Sequence, residues 1–181
     1  MCTHIRSLFF LSAVAALALL GFIVHSSTME FVYLIPSMLP TIPPESVLLV
    51  DKAAYHRQAP QPGDLILVET GGSTSVLDVM RLVATGGQRV QIRDCVENPI
   101  DICGVYVDGL KLAASKFQRK YYAMGKMLGY EWEIPANHYF LLGDNSRNAM
   151  DSRFFGPFSE NQLIGKIAGR RLPSGEKVEV R

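Results

Sequence analysis

The sequence has little charge and few cysteines, and both shortages narrow the range of functions. Only 19% of the residues are charged and the formal net charge is +1, so the chain has no basic surplus of the kind that binds nucleic acid. The three cysteines and four histidines match no zinc-binding spacing, and we expect no metal and no other cofactor. No internal repeat or low-complexity tract is visible. With 181 residues, the chain has room for one anchoring segment and one folded domain.

A stretch without charge runs from Ser7 to Val24. As a helix it would be about 27 Å long, close to the roughly 30 Å of a bilayer's hydrocarbon core. We expect a transmembrane anchor over residues 7–24 with residues 1–6 in the cytoplasm, because Arg6 is the only full positive charge before the run. Two interpretations remain open beside it: a signal peptide cleaved near Val24-His25-Ser26, and a buried core helix.

Beyond the apolar run, the pattern is typical of β-strands, since short β-branched and apolar runs alternate with Pro and Gly. Strands are expected at Val47–Val50, Leu65–Val68, Val76–Val83, Arg89–Ile92, Val105–Val107, Tyr139–Leu142 and Lys166–Ala168. Asp108-Gly109 is a two-residue hairpin signal. Ser159 and the Glu-Asn-Gln after it are expected to begin a short capped helical turn. The sequence therefore predicts a mostly β domain.

Cys95 and Cys103 flank a segment in which Asn98-Pro99 indicates a turn. A disulfide here would close a short loop and add roughly 2.5 kcal/mol of stability. An oxidising compartment outside the cytoplasm would permit it. We expect the bridge; the alternative is two unpaired thiols in a reducing compartment.

The stretch Phe117–Trp132 is rich in aromatic and basic side chains. One interpretation is a patch at the membrane surface, with aromatics at headgroup depth and lysines on lipid phosphates. The other is a hairpin that buries its aromatics in the core of the domain. The sequence leaves both open.

Four blocks carry residues suited to chemistry. In the first, Pro36 and Pro40 stiffen a turn around Ser37, which presents a hydroxyl beside backbone N–H groups suited to an oxyanion. The blocks are Tyr33-Leu-Ile-Pro-Ser37-Met38-Leu39-Pro40-Thr41, Pro62-Gly63-Asp64-Leu65-Ile66, Asp78-Val79-Met80-Arg81 with the turn Gly86-Gly87, and Gly143-Asp144-Asn145 with Asp151-Ser152-Arg153.

In this order, behind an apolar segment, the blocks resemble those of the type I signal peptidases of the S26 serine-peptidase family, which include the peptidases that mature conjugative pilins. The resemblance covers residues 33 to about 167. It implies a catalytic domain over residues 25–181, built from two antiparallel β-sheet subdomains outside the membrane.

The same resemblance assigns roles to individual residues. Ser37 would be the nucleophile, with its own N–H helping to form the oxyanion hole. Asp151 and Arg153 would form an ion pair that braces the catalytic strand. The other positions carried over are Asp144 and Asn145 as support of the site, and Ile35, Met38 and Pro40 as the oxyanion and substrate neighbourhood, with Ile35 standing where many members have a serine.

Met80 stands where bacterial members of the family carry a lysine as general base. Such a lysine works because burial lowers its pKa from about 10.4 toward 7. Methionine fills the same space, but its thioether cannot accept the serine proton. Ala149 stands where the family often has a serine that hydrogen-bonds the lysine.

No histidine or lysine elsewhere in the sequence takes the strand position of the missing general base. One branch of the family uses a histidine as the base, but that histidine stands at the same strand position, which is Met80 in this chain. The remaining candidates lie outside the matching blocks and are expected to be structural or solvent-facing: His25, Lys52, His56, Lys116 and His138.

Three interpretations of Met80 follow. The chain is a family member in which lysine has changed to methionine, or a pseudo-peptidase that binds exported tails or a pilin partner without cutting them, or an active enzyme with another base. The resemblance implies a monomer in the bacterial inner membrane, with the lipid bilayer and an exported preprotein or a pilin precursor as partners. The substrate would have small residues before the cleaved bond and would bind as an added strand.

Overall fold

The computed structural model describes residues 27–71, 75–96, 102–112, 121–122, 130–171 and 175–180. Strands dominate those residues. They are β1 Thr28–Tyr33, β2 Ser46–Asp51, β3 Leu65–Thr70, β4 Val76–Thr85, β5 Arg89–Val96, β6 Ile102–Val107, β7 Leu110–Lys111, β8 Tyr121–Tyr122, β9 Glu131–Glu133, β10 His138–Leu142, β11 Phe158–Ser159, β12 Leu163–Arg171 and β13 Lys177–Val178. The helical segments are α1 Ala54–Arg57, α2 Ser152–Phe155 and two 3₁₀ helices, Pro36–Met38 and Glu160–Gln162.

The strands form two antiparallel sheets. The larger has eight strands in the order β1-β2-β12-β3-β4-β10-β11, with β13 paired to β12. The smaller has five in the order β7-β6-β5-β9, with β8 paired to β6. The prediction of a mostly β chain with antiparallel sheets is confirmed, and each of the seven predicted strands lies within an observed one.

Strand β4 connects the two sheets. It pairs with β3 along its first half and with β10 along its second half. After it, the turn at Gly86-Gly87 leads into β5 of the smaller sheet. Gly87 has a φ of 87°, a backbone conformation that glycine adopts without strain.

Three apolar clusters form the core, and the first of them joins the two sheets. The first packs the smaller sheet against the end of the larger one, with Trp132 and Phe140 in contact at a ring-centroid distance of 5.1 Å. The second lies under β1, β2 and β3 and includes Tyr33 and Met38. The third is formed by Ile66, Val68, Met80, Leu82, Leu141 and Phe158.

Three local predictions are confirmed. Cys95 and Cys103 form a disulfide whose Cα atoms are 3.9 Å apart. Asp108 and Gly109 make the two-residue turn that joins β6 to β7, both with positive φ. Ser159 caps the 3₁₀ helix Glu160–Gln162 through a reciprocal arrangement with Gln162.

Other predictions fall on residues outside the described ones. The proposed anchor, residues 7–24, lies outside them. Among the residues that the structure does describe, no helix is long and apolar enough to cross a membrane. Of the stretch Phe117–Trp132, the described side chains are divided: Trp132 is in the core and Tyr130 is 57% exposed.

Candidate active site

Ser37 lies in a 3₁₀ turn that the rest of the chain holds in place. Pro36 opens the turn, and its fixed φ suits a first helical position. The backbone N–H of Asn145 donates to the carbonyl of Ser37 at 2.7 Å, and its side-chain amide donates to the carbonyl of Pro36 at 2.9 Å. The serine block and the Gly143-Asp144-Asn145 block are therefore in direct contact.

The hydroxyl of Ser37 has two polar side-chain partners. It donates to the carboxylate of Asp78, with Oγ 2.8 Å from Oδ1 and 3.1 Å from Oδ2. It also lies 2.7 Å from the hydroxyl of Tyr33, which in turn accepts the backbone N–H of Met38 at 2.9 Å. Ser37 is only 1% exposed, so a peptide carbonyl reaches Oγ only after neighbouring side chains move.

Burial changes the titration of both partners. It raises the pKa of Asp78 from 3.8 to about 6, and repulsion from Asp151 acts in the same direction. The hydrogen bonds from Ser37 and from the backbone N–H of Val79 partly offset this rise. Burial likewise raises the pKa of Tyr33, which stays neutral at physiological pH.

Met80 lies two residues after Asp78 on β4. Its side chain is fully buried in the third apolar cluster, among aliphatic side chains and Phe158. The catalytic role assigned to this position by resemblance stays a prediction. What the structure adds is a carboxylate on the same strand that touches the serine hydroxyl.

Sequence reasoning missed Asp78 and Tyr33 as partners of Ser37. A signal for Asp78 was present, because an acidic residue inside the otherwise apolar run Val76–Met80 needs a hydrogen-bond partner when it is buried. Tyr33 precedes Ser37 by four residues at the end of β1, and nothing in its spacing predicts the contact.

A single ion pair joins all four blocks. Arg81 binds Asp144 through two parallel hydrogen bonds, Nε to Oδ1 at 2.9 Å and Nη2 to Oδ2 at 2.8 Å. Arg81 also donates to the carbonyl of Gly63 at 3.0 Å, and Thr41 donates its hydroxyl hydrogen to Asp144. Bidentate pairs of this kind fix geometry as well as charge.

The expected ion pair between Asp151 and Arg153 is present and fully buried, with Nε 2.8 Å from Oδ1. Asp151 also accepts the backbone N–H of Gly143 at 3.0 Å. Arg153 donates to the hydroxyl and the carbonyl of Ser146 at 2.6 and 2.8 Å. The pair thus fixes the loop between β10 and α2, the same loop that holds the backbone of Ser37.

The remaining predicted site residues surround this centre. Met38 is buried and its sulfur accepts the backbone N–H of Asp144 at 3.3 Å. Ile35 packs on the second apolar cluster, whereas Pro40 is exposed. Ala149 is buried beside Gly143.

The basic residues set aside on sequence grounds are accounted for where the structure describes them. Lys52 and His56 are exposed, and the ring of His138 hydrogen-bonds the carbonyl of Ala136 at 2.9 Å. His25 and Lys116 lie outside the described residues. Across the described part of the chain, no group of three or more His, Cys, Asp or Glu side chains is placed to hold a metal ion.

Comparison with known proteins finds one matching family and several similar proteins. The sequence pattern of the family described as signal peptidase, peptidase S26, matches residues 5–170. The chain is 28% identical over 147 residues to a signal peptidase I of Leptolyngbya laminosa. The matched region covers 76% of this chain and 65% of that protein. It is 30% identical over 141 residues to signal peptidase I U of Bacillus subtilis strain 168. This match covers 77% of this chain and 73% of that protein. A crystal structure of a signal peptidase I from Enterococcus faecalis V583 aligns with a TM-score of 0.46 and 24% identity, over 61% of this chain and 97% of that one. The chain therefore spans just under two thirds of the length of the Leptolyngbya protein.

Proposed function

The chain belongs to the signal peptidase family, peptidase S26, and on that premise we propose that it is a serine endopeptidase with Ser37 as nucleophile. Its substrates are exported preproteins, either a general set or one dedicated pilin precursor. The observation that carries the proposal is the contact between the Ser37 hydroxyl and an ionisable acceptor, on a turn whose backbone the Gly143-Asp144-Asn145 block holds in place. A fixed nucleophile beside a proton acceptor is what covalent catalysis of acyl transfer requires.

We place the enzyme at the bacterial inner membrane. The uncharged run Ser7–Val24 supports a single anchor, and Arg6 supports a cytoplasmic N-terminus. The disulfide between Cys95 and Cys103 supports a folded domain on the oxidising, extracytoplasmic side. The domain acts as a monomer, and the substrate binds as an added strand.

Two observations favour a second candidate, a pseudo-peptidase that binds exported tails without cutting them. The side chain at the expected base position is a fully buried thioether, Met80, which cannot accept a proton. The hydroxyl of Ser37 is almost completely covered. Both would suit a protein that has kept the fold and the contacts of a peptidase but not its chemistry.

Cleavage of one synthetic preprotein with Ala-X-Ala before its junction decides between these functions. Full-length protein in detergent or vesicles is compared with Ser37→Ala, with Met80→Lys and with Ser46→Ala, a control serine whose hydroxyl donates to Pro43 in an exposed turn. We expect cut products, identified by mass, from the unaltered protein and the control, and none from Ser37→Ala.

The other outcomes separate the candidates. If only Met80→Lys cuts, the chain is an inactivated member of the family. If the protein and Met80→Lys both bind the preprotein and neither cuts it, the peptidase function is overturned and the pseudo-peptidase takes its place.

A further inference from the structure

We propose that Asp78 is the general base that activates Ser37, and that it takes the part that Met80 cannot. The inference rests on the proposed peptidase function. It follows from the hydrogen bond between the Ser37 hydroxyl and the Asp78 carboxylate, and from the way in which the neighbouring hydrogen bonds fix its direction.

The donors around Ser37 can be assigned in only one fully satisfied way. The N–H of Met38 donates to the hydroxyl of Tyr33, so the hydrogen of Tyr33 is left to donate to Ser37 Oγ at 2.7 Å. Ser37 then donates its own hydrogen to Asp78. This series of hydrogen bonds must end on a group that only accepts, and the ionised carboxylate of Asp78 is such a group.

This arrangement orients the hydroxyl of Ser37 for transfer of its proton to Asp78. Oγ of Ser37 has two lone pairs; one accepts the hydrogen of Tyr33 and the other is free to attack. Its hydrogen already points at the base, at 2.8 Å, within the distance that general-base catalysis needs. Tyr33 is a positioning residue here, because it orients Ser37 and takes no proton itself.

Peptide cleavage by Ser37 and Asp78 needs water as its only other reactant. As Oγ bonds to the scissile carbonyl carbon, Asp78 takes the hydroxyl proton and the carbonyl oxygen becomes the oxyanion. The protonated Asp78 then gives this proton to the leaving nitrogen as the C–N bond breaks, which leaves an ester on Ser37. Water attacks the ester while Asp78 takes a proton from it, and the proton returns to Oγ when the ester bond breaks.

The environment of Asp78 suits this task. Its pKa of about 6 lies a little below neutral pH, where a base combines a large ionised fraction with useful strength. The charged groups on the packed elements are already engaged with each other: Asp151 with Arg153, and Asp144 with Arg81. Tyr33 is the other titratable group in contact with the serine, and it remains neutral.

The test compares Asp78→Asn with Glu69→Gln in the cleavage assay, on full-length protein. Glu69 is an exposed carboxylate on β3, the strand that pairs with β4, so its loss controls for charge. We expect Asp78→Asn to lower kcat about 10²- to 10⁴-fold, the usual contribution of a general base. Glu69→Gln should cleave at the unaltered rate.

The pH profile of the unaltered protein gives a readout that needs no variant. Because the base must be ionised to act, kcat/KM should rise about tenfold per pH unit below a pKa near 6 and become flat above it. A profile without this acidic limb overturns the assignment of Asp78.

Unfolding measurements show whether Asp78→Asn is folded and whether the carboxyl titrates as expected. A carboxyl whose pKa is about 6 in the folded state and 3.8 otherwise binds its proton more tightly when folded. The unaltered protein should therefore lose stability, relative to Asp78→Asn, as the pH rises from about 4 to about 6.

Failure of this inference is distinct from failure of the proposed function. If the protein cuts, Ser37→Ala does not and folded Asp78→Asn cuts at the unaltered rate, Asp78 is not the base but the peptidase stands. If Met80→Lys cuts and the unaltered protein does not, Asp78 is likewise overturned and the family's lysine chemistry stands. If no form cuts, the peptidase function fails and the inference fails with it.

Discussion

Gly143 lies where the loop after β10 passes beside the serine turn, and its missing side chain decides how closely the two approach. A Cβ atom at this position would lie 2.3 Å from the Cβ of Ala149 and 2.9 Å from the carbonyl oxygen of Ser37. The Cβ of Ala149 and the carbonyl oxygen of Ser37 are both bonded directly to the backbone, and both residues are buried. Neither atom can therefore move away without a shift of the backbone. The glycine therefore allows close packing around the turn that holds Ser37.

We predict that Gly143→Ala destabilises the protein by about 1–3 kcal/mol, the usual result of overpacking, and lowers cleavage because it displaces Ser37. Urea unfolding and the cleavage assay measure the two effects. Gly71→Ala is the matched control, since its Cβ would meet only the side chain of Gln162 at 3.5 Å. A Gly143→Ala protein as stable as the Gly71→Ala protein would contradict this account.

Burial of the Asp78 carboxyl lowers the stability of the folded protein at neutral pH. A rise in pKa from 3.8 to about 6 corresponds to about 3 kcal/mol of preference for the protonated form in the folded state. At neutral pH, where the group is ionised, that preference works against the fold. An apolar residue in this strand would pack without such a penalty, so the carboxylate needs a reason other than stability.

At the scale of elements, short β-branched and apolar runs between Pro and Gly predict seven of the strands, but not β1 and not the order of the strands in the sheets. β2, β3 and β4 were recognisable from their β-branched runs. That β12 enters the sheet between β2 and β3 was not, because this pairing joins segments far apart in sequence. The four-residue helices α1 and α2 were also missed, since neither is long enough to show a helical period.

The site was only partly predictable, because sequence motifs indicate contacts between residues that are close in sequence. The ion pair of Asp151 and Arg153 lies within one short loop, so a local motif indicates it. The partner of Ser37 depends instead on where β4 lies relative to the serine turn, 41 residues earlier than Asp78. No local pattern fixes that placement, so the contact between Ser37 and Asp78 could not be predicted from the sequence alone.

The disulfide reinforces the pairing of β5 with β6, two strands of the smaller sheet. We predict that Cys95→Ser with Cys103→Ser lowers the free energy of unfolding by roughly 2.5 kcal/mol, because the unfolded chain regains the freedom that the bridge removes. Urea titration without reductant measures it. Cys2→Ser, outside the bridge, should leave the stability unchanged, and equal midpoints for all three proteins would refute the prediction.

At the scale of the whole molecule, the site lies where the large sheet changes its pairing. β10 pairs with β4 only as far as Leu142, opposite Arg81. Beyond that point, Asn145 and the serine turn take the place beside β4, within reach of Asp78. Ser37, its acceptor Asp78 and both buried ion pairs thus lie together near the end of β10, in a single framework of hydrogen bonds.

Where this framework works depends on the apolar run that precedes it. We predict that full-length protein stays in the membrane fraction after alkaline carbonate extraction, because the uncharged run of residues 7–24 is long enough to span the bilayer as a helix. In Leu17→Arg with Leu19→Arg, two charges near the centre of the run each oppose insertion by about 2.5–3.5 kcal/mol, so the protein should be released. The intact mass of the extracted protein decides between an anchor and a leader. Protein recovered in the soluble fraction with a new N-terminus close to Ser26 would show that the run is cleaved off, and would remove the membrane tether from the proposed function while leaving the chemistry of Ser37 and Asp78 in place.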